Sequence, residues 1–271
     1  MRKLFVNLQV GLLFVLGLCS QASLAEDVYT ELNAAYGSTP LNQSRTGDWH
    51  GLVGAAVIRL QQPMADTRSF VLPLVAVSYR QTFYWHFGET GVFVLNSDDG
   101  RARLAIALKA RRGYNPADYP NLTGMDERYT SVEGGLHGIW LSHASLISYG
   151  VFSDISGRSH GGSAQLSLAH PLHLAPRWQL VPSIGAEWLS DKVVDYYYGV
   201  KPSEATSTRP VYIGTASTNL RLGLMLNYRL SRDWTLFGGV GYTRLGTGIS
   251  DSPIVTRDGV GAVHIGGGWH F

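Results

Sequence analysis

From Leu220 to Leu230 every even-numbered position is Leu or Tyr, and every odd-numbered one is Arg, Gly, Met or Asn. A period of two held this long predicts a strand whose two faces meet different surroundings. The last residues repeat it, with Val263, Ile265, Trp269 and the terminal aromatic Phe271 set against His264, Gly266, Gly268 and His270. Trp234, Leu236, Val240 and Tyr242 alternate with Thr235, Gly239, Gly241 and Thr243, and Trp178, Leu180, Ile184 and Trp188 with Gln179, Ser183, Gly185 and Glu187. Leu104, Ile106 and Leu108 alternate with Arg103, Ala105, Ala107 and Lys109. The pattern predicts strands near 49–60, 70–79, 81–87, 90–95, 101–111, 129–141, 145–155, 161–173, 178–190, 218–230, 233–243 and 261–271.

An apolar face on every strand needs either a second protein layer or lipid to cover it. A soluble β-sandwich also alternates, but it accounts neither for the terminal Phe nor for Trp and Tyr at strand ends. The fold expected is all-β: a transmembrane antiparallel β-barrel of about 12 strands, closed by a C-terminal strand ending in Phe271. Ten strands is the alternative, because 80–96 reads either as two short strands around Gly88-Glu89 or as one long one. The turns Leu141-Ser142-His143-Ala144, Leu174-Ala175-Pro176-Arg177 and Ser231-Arg232-Asp233 are short, as periplasmic turns are. The long segments 112–128, 191–217 and 244–260 then all fall outside.

The N-terminus changes the compartment. Arg2 and Lys3 precede an apolar run from Val10 to Leu18, and Ser23-Leu24-Ala25 offers small residues for a signal peptidase. Residues 1–25 are expected to be a cleaved signal peptide, 26–48 a periplasmic arm or inward plug, and 49–271 the barrel. Cys19 raises a lipoprotein reading, but Leu18 stands where that signal wants Gly or Ala. The signal peptide takes two of the 22 basic residues and none of the 20 acidic ones, leaving a formally neutral mature chain with no support for nucleic-acid binding. It also takes the single Cys, which removes disulfides, thiolate chemistry and Cys-based zinc sites. After the signal no apolar stretch reaches transmembrane-helix length. The predicted surroundings are the lipid and lipopolysaccharide of a Gram-negative outer membrane.

Candidate chemistry is thin. His143-Ala144-Ser145 has a spacing that lets a His activate a Ser nucleophile, yet it falls in a periplasmic turn. Ser159-His160 lies near an external loop, and Asp154 with His160 could be drawn as an acid–base pair, but nothing makes either pairing specific. The His residues show no strand-face spacing for a metal, so no catalytic residue, cofactor or metal is expected. Inward positions include Arg103, Lys109, Arg111, Arg221 and Arg229, with Glu133, Glu187 and His137 among them. An internal salt-bridge network accounts for these, as does a narrow channel with slight anion preference. Among external residues, Tyr196, Tyr197 and Tyr198 could stack on a ligand or pack their loop onto the rim. Asp251-Ser252-Pro253 reads as a turn capping the last external loop.

Gly51-Leu52-Val53-Gly54-Ala55-Ala56-Val57, Leu72-Pro73-Leu74-Val75, Tyr196-Tyr197-Tyr198-Gly199-Val200 with Glu204-Ala205, Tyr242-Thr243-Arg244-Leu245, Asp251-Ser252-Pro253-Ile254-Val255 and the terminal aromatic form a recognisable set. By these segments the chain resembles the MipA/OmpV family of outer-membrane proteins. It departs in the added stretch 26–48 and the basic Lys109-Ala110-Arg111-Arg112. The resemblance implies a non-enzymatic scaffold that links a lytic transglycosylase (MltA) to a penicillin-binding protein at the periplasmic face. A small-solute channel and a surface adhesin using the external loops are the alternatives.

Overall fold

The computed structural model describes residues 48–271, apart from Phe87 and His143. The expected signal peptide, and the arm as far as residue 47, lie outside the described residues. Strand β1 (Trp49–Gln62) pairs with β2 (Ala65–Tyr79), and the meander continues through β3 (Phe83–His86), β4 (Glu89–Asn96) and β5 (Ala102–Arg111). It runs on through β6 (Ser131–Leu141), β7 (Leu146–Asp154), β8 (Gly162–Ala169), β9 (Leu172–Ala175) and β10 (Trp178–Leu189). Strands β11 (Ser217–Arg229), β12 (Trp234–Arg244) and β13 (Gly259–His270) complete the circuit, and β13 returns to pair with β1. All pairings are antiparallel. Twelve strands form the closed ring, and β9 is a short extra strand that pairs along the lower part of β10, beneath β8.

The segment 80–96 is two strands. Gly88, at φ +90°, makes the tight turn between β3 and β4, which rules out the ten-strand alternative. The single strand expected over 161–173 is instead divided into β8 and β9, and Pro171 at the break has no N–H to continue a ladder. The turn expected at 174–177 shortens accordingly to Pro176-Arg177.

Closure places Gly51 opposite the chain end: its N–H donates to the Phe271 carbonyl at 3.1 Å, and the Phe271 N–H returns the bond at 3.1 Å. The seam is tight because it is glycine-rich. A Cβ on Gly54 would run into the Gly267 carbonyl and lie 2.7 Å from the Gly268 Cα.

The outer surface is an apolar band. Val53, Val57, Ile106, Val151, Leu166, Ile184, Leu220, Leu222, Leu224, Val240, Val263 and Ile265 are all exposed on it. Its lower edge is aromatic: Trp49 lies 4.6 Å from Tyr79, Trp178 4.6 Å from Tyr228, and Trp269 stacks 5.4 Å from Phe271. Trp188 on β10 and Tyr242 on β12 mark the upper edge. Aromatic girdles flanking a lipid-facing band are the signature of a barrel that crosses an outer membrane. No helix among the described residues is long and apolar enough to cross a membrane.

The interior is also apolar along one wall. On β1 and β2 the inward residues Leu52, Ala56, Ile58, Leu60, Leu72 and Leu74 are buried, and they pack in one cluster with Val181, Met225 and Phe237 from β10, β11 and β12.

Candidate functional site

A second set of inward residues is charged. Lys109 and Arg111 are inward neighbours on β5, and Glu133, Glu187 and Arg221 face them from β6, β10 and β11. Arg111 spans the interior, with Nε 2.6 Å from Glu133 Oε1 and Nη2 2.9 Å from Glu187 Oε1. Arg221 Nη2 reaches Glu187 Oε2 at 2.7 Å, Lys109 Nζ lies 3.4 Å from Glu133 Oε2, and Ser163 Oγ donates to that same oxygen at 3.1 Å. The Lys109 ammonium also sits 4.5 Å from the Phe152 ring centre. Both carboxylates are almost wholly buried. Charges in such a setting persist only when several partners share their desolvation cost, and here each carboxylate meets at least two cations.

Two other inward residues stand apart. Arg103 lies near the periplasmic end, where it donates to Asn96 and to the Gln81 carbonyl and covers the Phe93 ring. His137 joins a separate cluster, with Nδ1 2.5 Å from Glu89 Oε1, which also accepts from the Tyr84 hydroxyl at 2.6 Å. Glu89 reads from sequence as a turn residue, but it opens β4 and points inward. Arg229, read as inward, is exposed at the periplasmic end of β11.

Above the charged network the external segments close over the mouth. Residues 191–198 form a helix, α1 (Asp191–Tyr198), where sequence suggested a strand-like run of tyrosines. The reason is local: the Ser190 side chain accepts the Val193 N–H, and Asp191 lies in the first turn, so the segment begins with a good N-cap. Val193, Val194 and Tyr197 pack with Leu189, Leu245 and Ile249, the last from a single helical turn, α2 (Thr247–Ser250). A neighbouring cluster joins Met64, Leu122, Met125, Val200 and Ile254, drawn from four separate segments.

One ion pair locks these segments together. Glu204, buried in the 3-10 turn Pro202–Glu204, takes Arg128 in a two-pronged bridge with both N···O distances 2.8 Å. It also accepts the backbone N–H groups of Asp126 at 2.9 Å and Lys201 at 3.0 Å. Burial alone would raise its pKa, but Arg128 and these two amides hold the carboxyl down at about 2. Arg209 adds a second tie by donating to the carbonyls of Asn121, Thr123 and Glu204. Sequence offered no hint of either Arg–partner set, because Arg128 and Glu204 sit in different loops.

The tyrosines divide their roles. Tyr197 is buried; its hydroxyl donates to the Arg111 carbonyl at 3.0 Å and lies 2.8 Å from Ser131 Oγ, and burial pushes its pKa up. Tyr196, half-buried, takes the Tyr129 N–H at 2.9 Å, and the Tyr198 carbonyl accepts from Ser252 Oγ at 2.6 Å. Asp251 is exposed and caps α2, its N–H donating to the Thr247 carbonyl at 3.0 Å. All three tyrosines therefore contact the lid or the barrel rim.

Asp154 accepts the N–H groups of Ser156, Ser159 and His160, tying off the loop after β7. Ser145 Oγ lies 2.7 Å from Nδ1 of His170, while His143 is outside the described residues. No cluster of metal-ligating residues occurs among the described residues.

Residues 53–271 match the family described as MltA-interacting protein MipA. The chain belongs to that family. The MltA-interacting protein of Escherichia coli K12 is 26% identical over 222 residues, covering 79% of this chain and 87% of that protein. Outer membrane protein OmpV of Vibrio cholerae is 32% identical over 143 residues, covering 52% of this chain and 55% of its own length. Among solved structures, the translocator domain of the autotransporter NalP from Neisseria meningitidis covers 93% of this chain and 100% of its own, with 10% identity and a TM-score of 0.43. This MipA-family chain is thus an outer-membrane β-barrel, with external segments packed over its mouth.

Proposed function

We propose that the barrel is a non-enzymatic scaffold that holds a lytic transglycosylase and a penicillin-binding protein together at the periplasmic face. The observation that carries this reading is the relationship, along most of the mature chain, to a protein named for its interaction with MltA. The interior agrees with it. Apolar side chains of five strands meet in the lumen, the inward charges are paired, and external segments pack over the mouth. A barrel so built has its periplasmic turns, and the segment 26–48, to offer to partners.

The test is crosslinking in intact cells, followed by identification of the captured proteins. A lytic transglycosylase and a murein synthase are expected, and both should be lost when the turns at 97–101, 142–145 and 230–233 are shortened in a barrel that still folds. Their absence from the wild-type catch, together with a discrete single-channel conductance whose selectivity shifts in Arg221→Glu, would replace the scaffold with a small-solute channel.

A further inference from the structure

The barrel wall has a lateral window. Strand β3 is four residues long and pairs with β2 only from Ala76 to Tyr79. Among the described residues, the rest of that edge of β2, from Ala65 to Val75, has no strand beside it. Below lies the β3–β4 tip at Gly88, and on the far side the end of β5, whose Ala110 N–H reaches the Gly88 carbonyl at 3.4 Å. The loop after β5 bridges the top: Asn121 Nδ2 donates to the Met64 carbonyl and Arg68 Nη2 to the Asp118 carbonyl, both at 2.9 Å, with Arg68 over the Tyr119 ring. Two strands separate β2 from β5 lower down, so the window spans three strand spacings, about 14 Å.

The ladder shows which backbone groups face it. Gly51 bonds to Phe271, so the odd positions of β1 turn toward β13 and the even ones toward β2. Gly54 and Ala56 therefore bond with Leu74 and Leu72, and the backbone groups of Ser69, Val71 and Pro73 turn into the window. Pro73 has no N–H to leave unpaired, which is how an edge tolerates it. The N–H groups of Ser69 and Val71 remain, with three carbonyls. Counting up from Tyr79 in the lower girdle, Ser69 stands as far along its strand as Trp188 does from Trp178. The window therefore opens in the outer-leaflet half of the membrane.

Hydrocarbon alone cannot satisfy these amides, and an open sheet edge in lipid is costly. Two arginines border it: Arg68 crosses the top, where it meets the Asp118 carbonyl, and Arg112, just beyond β5, has a buried Nη1 with no hydrogen-bond partner among the described residues. We propose that the window seats a phosphorylated glycolipid of the outer leaflet whose acyl chains are joined through amides. Its phosphate lies between Arg68 and Arg112, its amide groups meet the free edge of β2, and its chains lie against Val71 and Pro73.

A photo-crosslinking residue at Val71 tests this in intact cells, with one at Val57 as the control. These two positions are ladder partners at the same depth, and both are exposed. The expected result is a phosphorylated-glycolipid adduct enriched at position 71 over position 57, falling about tenfold in Arg68→Ala/Arg112→Ala. A heat-shift gel confirms closed barrels. Should that variant fail to fold, wild-type protein in nanodiscs offered the glycolipid with and without its phosphates keeps the test open, with preference for the phosphorylated form expected. Glycerophospholipid adducts in equal ratio at both positions, or no phosphate preference, would overturn the proposal. A protein adduct at position 71 would also overturn it, and would assign the edge to a polypeptide strand.

Discussion

Glu204→Ala should open the lid and leave the barrel closed. The substitution removes the acceptor of four bonds: two from Arg128 and one each from the Asp126 and Lys201 amides. It strands a buried guanidinium. Breaking a buried pair by removing one partner costs about 3–5 kcal/mol, which multiplies the opened population of the lid by about 10²–10⁴. The barrel does not share the loss, because its ladders do not run through Glu204. Limited proteolysis of cells should therefore cut within 113–128 and 199–216 in the variant, while the heat-shifted band on gels persists. The carboxyl has a depressed pKa near 2 against an ordinary 4.5, so the pair's stabilisation is complete above about pH 4.5 and is lost as pH falls toward 2. Wild-type protein should reproduce the variant's cleavage pattern at about pH 2–3 with an acid-active protease. Equal resistance of variant and wild type at neutral pH would refute the claim that this pair holds the lid.

Glu187→Ala leaves Arg111 and Arg221 without their shared carboxylate, and should lower barrel stability by about 3–5 kcal/mol in a urea titration followed by tryptophan fluorescence. Leu222→Arg puts a charge on the lipid face near mid-strand and should cost about 2–4 kcal/mol in the same assay. Gly54→Val would drive a side chain into the Gly267 backbone, so the expected outcome is loss of the heat-shifted band altogether; a normally closed barrel would contradict the tight seam.

Strands such as Leu220–Leu230 were legible because their two faces differ in chemistry: lipid on one side, Gly, Asn and Arg on the other. β1 was harder, since Leu52, Ile58 and Leu60 face a packed interior while Val53 and Val57 face lipid, which blurs the period. The cationic and anionic lumen residues were legible as inward positions, but their joining through Arg111 was not, because strand register across the barrel is a tertiary property. The lid was the least visible. The Ser190 N-cap was a local signal for α1, hidden behind a tyrosine run that suggests β structure. Arg128–Glu204 and the window both depend on where loops and ladders stop, which alternation does not encode.

The seam between β1 and β13 has a consequence for assembly. Its partners stand at opposite ends of the barrel sequence, so the ring cannot shut until its last strand has arrived. Until then the growing sheet carries two bare margins, a slow and aggregation-prone arrangement of high contact order. Whatever escorts this chain to the membrane has to shield both margins until β13 pairs with β1 along the seam that ends at Gly51 and Phe271.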